Sequence, residues 1–452
     1  MDTIERRSVL ALALVYLFRM LGLFLIMPVI SIASDGLQGA DAALIGTAIG
    51  IYGLTQALLQ IPMGMMSDKI GRKPIIVGGL ILFALGSVIA ANATDIYTLI
   101  IGRAVQGAGA IASTLMALLS DVTKEQNRTK AMATVGISIG VSFMISLVLG
   151  PILFAAIGLS GLFYLSFGFS VVGIALILMV VPTPKQVSFR RDTTPSMVAL
   201  GRVLTDRSLR YLNFSVLLLH ASLTAVFVAV PLVLVQRYGL ALGQHSLLYL
   251  IVMGLAFIGM LPLVIAAEAK GKMKGVLVIA VALIAASVAL FALQLPLWLF
   301  AALICLFFVA FNTLEATLPS LVSKQAPVGY RGTAMGAFST HQFFGAFIGG
   351  AGGGWLMGQL SMQVLFFAVA ALWFLWFLFT LSQPAPRQLS SIAFTLPQDI
   401  EVNITELTEQ LANIQGVEDM QIFTDERTAY LKVDKKQLDK AALARIAPQI
   451  AL

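Results

Sequence analysis

Gly64-Met65-Met66-Ser67-Asp68-Lys69-Ile70-Gly71-Arg72-Lys73-Pro74 is a burst of charge and glycine set between two long apolar runs. An apolar helix that closes on one acid and is followed within a few residues by Lys69, Arg72 and Lys73 describes a tight turn at a membrane surface. Gly71 permits a sharp reversal, and Asp68 is placed to meet a cation or the positive end of a helix. A loop that served only as a topology signal would collect the three cations. It would not need the acid, nor Gly64 and Gly71 at these offsets.

The rest of the chain agrees with a membrane setting. It has 452 residues, 59% apolar and 11% charged, with a mean hydropathy of +0.93. A water-soluble domain carries about 25% charged residues, so this chain cannot be one soluble core. The net charge of +7 is no sign of nucleic acid, because the basic residues sit in short loops between apolar spans. The single cysteine, Cys305, lies inside an apolar run, which leaves no disulfide framework and no metal-ligand spacing. No metal and no cofactor is expected. Arg6 and Arg7 precede the first apolar run, and no small-residue cleavage site interrupts it before Pro28, so it reads as a membrane helix and not as a removed signal.

Windows of about 20 apolar residues recur near 9–33, 43–66, 75–93, 97–120, 130–156, 161–181, 211–235, 245–267, 275–293, 297–320, 332–357 and 362–382. Alternate connections hold nearly all the lysine and arginine, and the other set holds only Arg237. The positive-inside bias then predicts an even number of crossings with both termini cytoplasmic. The expected organisation is an N-terminal six-helix half (1–181), a cytoplasmic linker with an interfacial helix (182–210), a C-terminal six-helix half (211–382), a short linker (383–390) and a small soluble domain (391–452). The fold class is therefore all-α and polytopic, with an α+β tail.

Polar residues inside the spans are the candidate functional groups. Arg19 lies about 15 Å into the first span at helical rise, where a cation by default faces a cavity; the alternative is snorkelling to the headgroups. Tyr52, Gln56 and Gln60 share a helical face, which either lines a polar cavity or makes interhelical hydrogen bonds. Arg103 and Gln106 share a side of the fourth span, and Asp121 falls at its end, within reach of Arg72. In the second half Glu315 is the one carboxylate well inside a span, on the face of Asn312, and His220 and His341 lie at a similar depth. All three could meet in the inner half of a central cavity. Against this, an isolated histidine is commonly a hydrogen-bonded structural residue, and Glu315 has Lys324 as an alternative partner. The loop Glu268-Ala269-Lys270-Gly271-Lys272-Met273-Lys274 repeats the acid, glycine and cation spacing of Asp68, Gly71 and Arg72, with Val264 in place of the small Gly64. Such an internal echo is expected where parallel repeats build a transporter.

From Gln383 the composition turns soluble and acidic. Alternation and punctuation predict a strand at 391–396, a helix at 400–414 ended by Gly416, strands at 417–423 and 428–433 about a turn, and a helix at 435–446. This βαββα order resembles a ferredoxin-like domain, without the cysteine pair of its metal-binding members.

Several of these motifs resemble the major facilitator superfamily. The G-x-x-x-D-K-x-G-R-K loop is similar to its signature between the second and third helices, and Arg103-x-x-Gln106-Gly107-x-Gly109-Ala110 to its fourth-helix motif. Leu21-Gly22 followed by Pro28-Val29 resembles a first-helix motif of the drug:proton antiporter branch, with Ser31 where a second proline usually stands. Ser146-x-x-x-Gly150-Pro151 matches in part the fifth-helix motif of proton-driven exporters, which continues in Gly-Gly where this chain has Phe154-Ala155. Twelve spans with such a tail resemble a type of bacterial inner-membrane transporter. The resemblance implies two six-helix halves, alternating access, and a charge cluster of Asp68, Arg72 and Asp121 that biases conformation. It also implies a small-molecule substrate, protons as coupling ion, and efflux of small amphipathic or hydrophobic compounds by antiport. A uniporter or proton symporter is the alternative within that class, and a membrane sensor is the alternative outside it. The tail is expected to bind the transporter's own loops or a separate ligand. No Walker-type loop, paired carboxylates or nucleophile triad points to an enzyme.

Overall fold

The computed structural model describes every residue except 35, 125–126, 184–196, 329, 387–388, 396–403, 424–427, 435–436 and 447–452. The first half consists of α1 (Thr3–Phe24), the short α2 (Ile30–Ala33), α3 (Ala42–Ile70), α4 (Arg72–Ala91), α5 (Ile96–Ala108), α6 (Ala112–Asp121) and α7 (Arg128–Met179). A linker helix α8 (Met197–Thr205) leads into the second half: α9 (Arg207–Gln236), α10 (Leu242–Glu268), α11 (Met273–Phe291), α12 (Leu297–Gln325), α13 (Arg331–Phe347), a π-helical turn (Ile348–Gly352), α14 (Gly353–Gln359) and α15 (Met362–Ser382). The tail is β1 (Ser390–Thr395), α16 (Ile404–Ala412), β2 (Val417–Phe423), β3 (Thr428–Val433) and α17 (Lys440–Ile446).

Among the described residues ten helical stretches are long and apolar enough to cross a membrane. One runs for 50 residues, Lys130–Met179, or about 75 Å at helical rise, roughly twice what a bilayer needs. It turns back at Gly158, whose φ of 68° and ψ of −177° no helix contains. The fifth and sixth expected spans are thus one assigned helix with a glycine corner. Conversely, the fourth span is cut into α5 and α6 by the irregular Gly109–Ile111, and the eleventh is interrupted by the π turn. The first helix begins at Thr3 and ends at Phe24, well short of residue 33, and its Pro28 lies in the turn before α2.

Aspartates account for many of the helix starts. Asp2, Asp41, Asp95 and Asp206 each accept a backbone N–H three residues on, at 2.7 to 2.9 Å, which satisfies donors that a helix N-terminus leaves open. These acids sit at the helix ends, and the apolar interiors are left to lipid and packing. α15 turns Phe367, Phe374 and Leu375 outward, whereas α9 is buried along most of its length.

The halves meet through backbone. A Cβ placed on Gly350 would lie 2.8 Å from both Gly46 O and Gly50 N, and one on Gly50 3.0 Å from Phe347 Cα. Gly354 stands equally close to Ala42 and Gly46, and Gly53 to Phe343. So α3 and α13–α14 run antiparallel in contact at the end away from Asp68. The same segment faces α9 with Gly345 on Leu217, Gly349 on Ala221 and Gly353 on Ala225. Consecutive Gly349 and Gly350 therefore serve two neighbours, inside the π turn. A second contact between the halves joins Ser31 Oγ to Phe227 O at 2.9 Å.

The tail forms a three-stranded antiparallel sheet in the order β1-β3-β2. Both later strands start and stop where the alternation puts them. α16 and α17 pack on one face, with Leu411, Ala429, Leu431, Val433 and Leu443 buried between. The helix expected from 400 is described from Ile404, and that expected from 435 from Lys440; the turn at 424–427 lies outside the described residues. The interfacial helix expected within the 182–210 linker is α8, which stops at Thr205; Asp206 caps α9, and Val203 is buried in the second half's core.

Replacing Gly350 by leucine should open the seam between the halves, with a loss of about 1–3 kcal/mol or more for overpacking. Gly352, two residues on, has open space around it, and Gly352→Ala should be near neutral. Thermal unfolding of the purified variants in detergent compares the two directly.

Candidate transport site and charge cluster

The loop that opens the sequence forms a buried ion cluster. Gly71 has a φ of 107° and links α3 to α4 without a spacer. That corner turns Arg72 back onto Asp68, with which it is paired, and onto Asp121 Oδ2 at 3.1 Å. The side chains are only 2%, 8% and 4% exposed, so the cluster is buried. Loss of Arg72 would leave two buried carboxylates without their cation, a cost of about 3–5 kcal/mol, whereas loss of one acid leaves Arg72 paired with the other. Ser67, which the sequence reading passed over, joins it by accepting from Arg72 Nη1 at 2.7 Å and donating to Gly64 O at 2.6 Å. Lys73 takes no part in the cluster's ion pairs. The cluster lies within the first half; Asp68 meets Arg72 here and not the start of α13.

The second loop repeats the turn but not the pairing. Gly271 again has a positive φ, 68°. Glu268, however, pairs with Lys324 at the end of α12, at 2.5 Å, and Lys272 uses its backbone N–H on Ala266 O. Lys324 is thereby removed as a partner for Glu315.

Inside the first half the polar residues form one buried network. Arg19 Nη2 donates to Gln56 Oε1 at 2.7 Å, to Gly109 O at 2.8 Å and to Tyr52 Oη at 3.3 Å. Gln56 passes a hydrogen bond to Gln60 at 3.1 Å. Arg103 donates to Gln106 Oε1 at 3.0 Å and to Ala48 O at 3.3 Å, and its guanidinium lies 5.1 Å from the Tyr52 ring centre. Gln106 continues to Ser87 Oγ at 2.8 Å. The break at Gly109 explains itself here, since it frees a carbonyl for Arg19. Arg19 and Arg103 are each 2% exposed. Neither snorkels, and Arg19 is enclosed by α1, α3 and the α5–α6 junction instead of facing an open cavity. The interhelical alternative describes Tyr52, Gln56 and Gln60. Gly150, in the fifth-span motif, packs against Leu25 and Pro28 of the first span, and Pro151 and the buried Ser146 lie on the same α7.

In the second half three side chains converge from three helices. His220 Nε2 on α9 stands 3.6 Å from Glu315 Oε2 on α12. Gln342 Nε2 on α13 lies 2.8 Å from His220 Nε2 and 3.5 Å from Glu315 Oε1. Glu315 is 39% exposed and His220 12%. His341 does not join: its Nδ1 is 2.8 Å from Ala337 O and its ring meets Phe214 edge-on. The residue that points inward is its neighbour Gln342, one step further round the helix. Asn312 stays outside the group, with a buried amide nitrogen lacking a partner. Among the described residues no cluster of histidine, cysteine or acids could hold a metal.

Comparison with known proteins agrees with this architecture. Residues 12–350 match the model of the Major Facilitator Superfamily. The chain is 46% identical over 433 residues to the inner membrane transport protein YajR of Escherichia coli strain K12, covering 96% of this chain and 95% of that one. It is 27% identical over 358 residues to the multidrug resistance protein MdtH of Aeromonas salmonicida, covering 78% and 88%. Among solved structures, a D-xylose–proton symporter superposes with a TM-score of 0.68 at 14% identity, over 84% of this chain and 98% of that one. With a family match over most of its length and a close full-length relative, the chain belongs to the Major Facilitator Superfamily of membrane transporters.

Proposed function

We propose that the chain is a proton-coupled secondary transporter that exports small amphipathic or hydrophobic compounds by alternating access. The observation that carries this reading is the Glu315, His220 and Gln342 group. It holds the one carboxylate deep in a span, half open to water, against a histidine. A carboxylate and an imidazole at that separation can exchange a proton between water and the bundle interior. The similarity to a multidrug resistance protein favours efflux over uptake, and that to an inner membrane transport protein favours a bacterial inner membrane. The positive-inside bias of the basic loops favours a cytoplasmic location for the charged end and both termini.

Each half then has a task. In the first, Arg19, Arg103 and their amide partners form a rigid polar frame. The Asp68, Arg72 and Asp121 cluster biases conformation: Asp68 is free to reach the positive N-terminal end of α13 only when the cytoplasmic side closes. The tail is read as a ferredoxin-like regulatory domain. Lys432 on β3 donates to Lys324 O at 2.6 Å, at the C-terminal end of α12 where a cation is favoured, and Tyr430 is buried against Val328. That contact lies next to the Glu268–Lys324 pair, so the tail touches the second half's own loop system.

Three outcomes check this assignment. Glu315→Gln should abolish flux driven by an imposed pH gradient in proteoliposomes while folded protein remains; undiminished proton-driven flux would remove Glu315 from the pathway. Asp68→Asn should shift the population toward the cytoplasm-open state, by the roughly 0.3–2 kcal/mol of a helix-terminus interaction. Its measure is the labelling rate of a cysteine placed between the halves from the cytoplasmic side. Deleting residues 388–452 should leave basal flux largely intact, and a well-folded truncation without flux would refute a purely regulatory tail.

A further inference from the structure

The hydrogen-bond directions around His220 restrict its state. Val216 O, 3.2 Å from Nδ1, can only accept, so Nδ1 carries a hydrogen. The Gln342 amide nitrogen, 2.8 Å from Nε2, can only donate, so Nε2 offers its lone pair. The amide's orientation is set in turn by Glu315, whose Oε1 lies 3.5 Å from that same nitrogen and would repel the amide oxygen. One –NH2 group with two hydrogens thus serves both neighbours, and the arrangement is the one for a neutral His220 beside a carboxylate.

A proton on Nε2 makes this arrangement untenable. Two N–H groups would then face each other across the 2.8 Å contact. The partner suited to the imidazolium is Glu315 Oε2, 3.6 Å away, and closing that gap requires the amide to withdraw. We propose that Gln342 is the positioning residue that passes proton occupancy of the His220–Glu315 pair to α13, by alternating between two mutually exclusive hydrogen-bond patterns. This rests on the proton-coupled reading above.

The location of Gln342 gives the switch its reach. It sits one turn before Gly345, where α13 lies on the α9 backbone, and two turns before Gly350, where the π turn touches α3. Displacing its side chain from His220 pushes α13 relative to α9 at the segment that holds the two halves together. Three other titratable groups on the packed helices have partners of their own. Lys324 is held by Glu268, Tyr211 by Thr380 Oγ1 at 3.1 Å, and His341 faces Phe214. The ring of His220 also meets that of Phe311 in a T-shaped contact, with centroids 5.7 Å apart.

Gln342→Leu tests the switch, with substrate binding and thermal unfolding as checks on folding, and Gln342→Asn gives the same readout should the leucine variant fail to fold. Without the amide donor the neutral imidazole loses its partner. A tenfold easier protonation moves the half-maximal point of the pH profile of flux to higher pH by about one unit. The 15N signals of His220 should also lose their single Nδ1–H tautomer. An unmoved pH profile together with an unchanged tautomer in a folded variant would overturn the role of Gln342. If Glu315→Gln and His220→Ala abolish pH-driven flux while that profile stays in place, only this inference fails. If those two variants leave pH-driven flux intact, the proton-coupled reading fails and takes this inference with it.

Discussion

The close approach of the α3 backbone to that of α13–α14 is the constraint on which the rest depends. Two helices come this near where at least one presents no Cβ: Gly46 faces Gly350 and Gly354, and Gly50 and Gly53 let the backbone of Phe347 and Phe343 approach. In a bilayer the apolar faces gain little by leaving lipid, so dense packing and polar contacts must hold helices together. The seam provides the packing and fixes which helices are central. It lies toward the end of α3 away from Asp68 and Arg72, and Phe143 of α7 adds a second, side-chain contact against Phe308 and Phe311 of α12.

Charge is distributed around that seam by the same logic. Asp2, Asp41, Asp95 and Asp206 cap helices at the aqueous ends, and Asp68, Asp121 and Glu268 pair with cations at the loop end. Arg19 and Arg103 in the first-half interior are met by carbonyl and amide oxygens and by Tyr52, which stabilise a cation without offering a proton acceptor of carboxylate strength. In the proposed reading the proton-carrying pair belongs to the second half, on α9 and α12. These are tied through Gln342 to α13, the helix whose other face carries the seam.

Much of this was legible in the residues. The corner at Gly71 and the ends of β2 and β3 follow from spacing, because each is set by local geometry or by alternation, and Asp121 at the end of its span lay within reach of Arg72. The breaks at Gly109 and Gly158 and the π turn were not. A helix that is apolar all round shows no change of pattern where it bends, since lipid and protein interior ask for the same residues. Partners distant in sequence were also hidden: Glu268 has a lysine four residues on, yet it pairs with Lys324. His341 and Gln342 are both polar, and only the packing of α13 decides which one enters the site. Gln342 lay in view as a polar residue of an apolar span, and the adjacent histidine drew the attention.

Distance measurements by pulsed electron resonance test the central claim, that the halves rock about the glycine seam. One spin-label pair would span the charged end, at the exposed positions Ile70 and Arg331, and a second the opposite end, at Asn92 and Trp298. Rocking predicts that a change of pH across the working range lengthens one distance while it shortens the other. Distances that stay fixed, or that grow and shrink together, would contradict it.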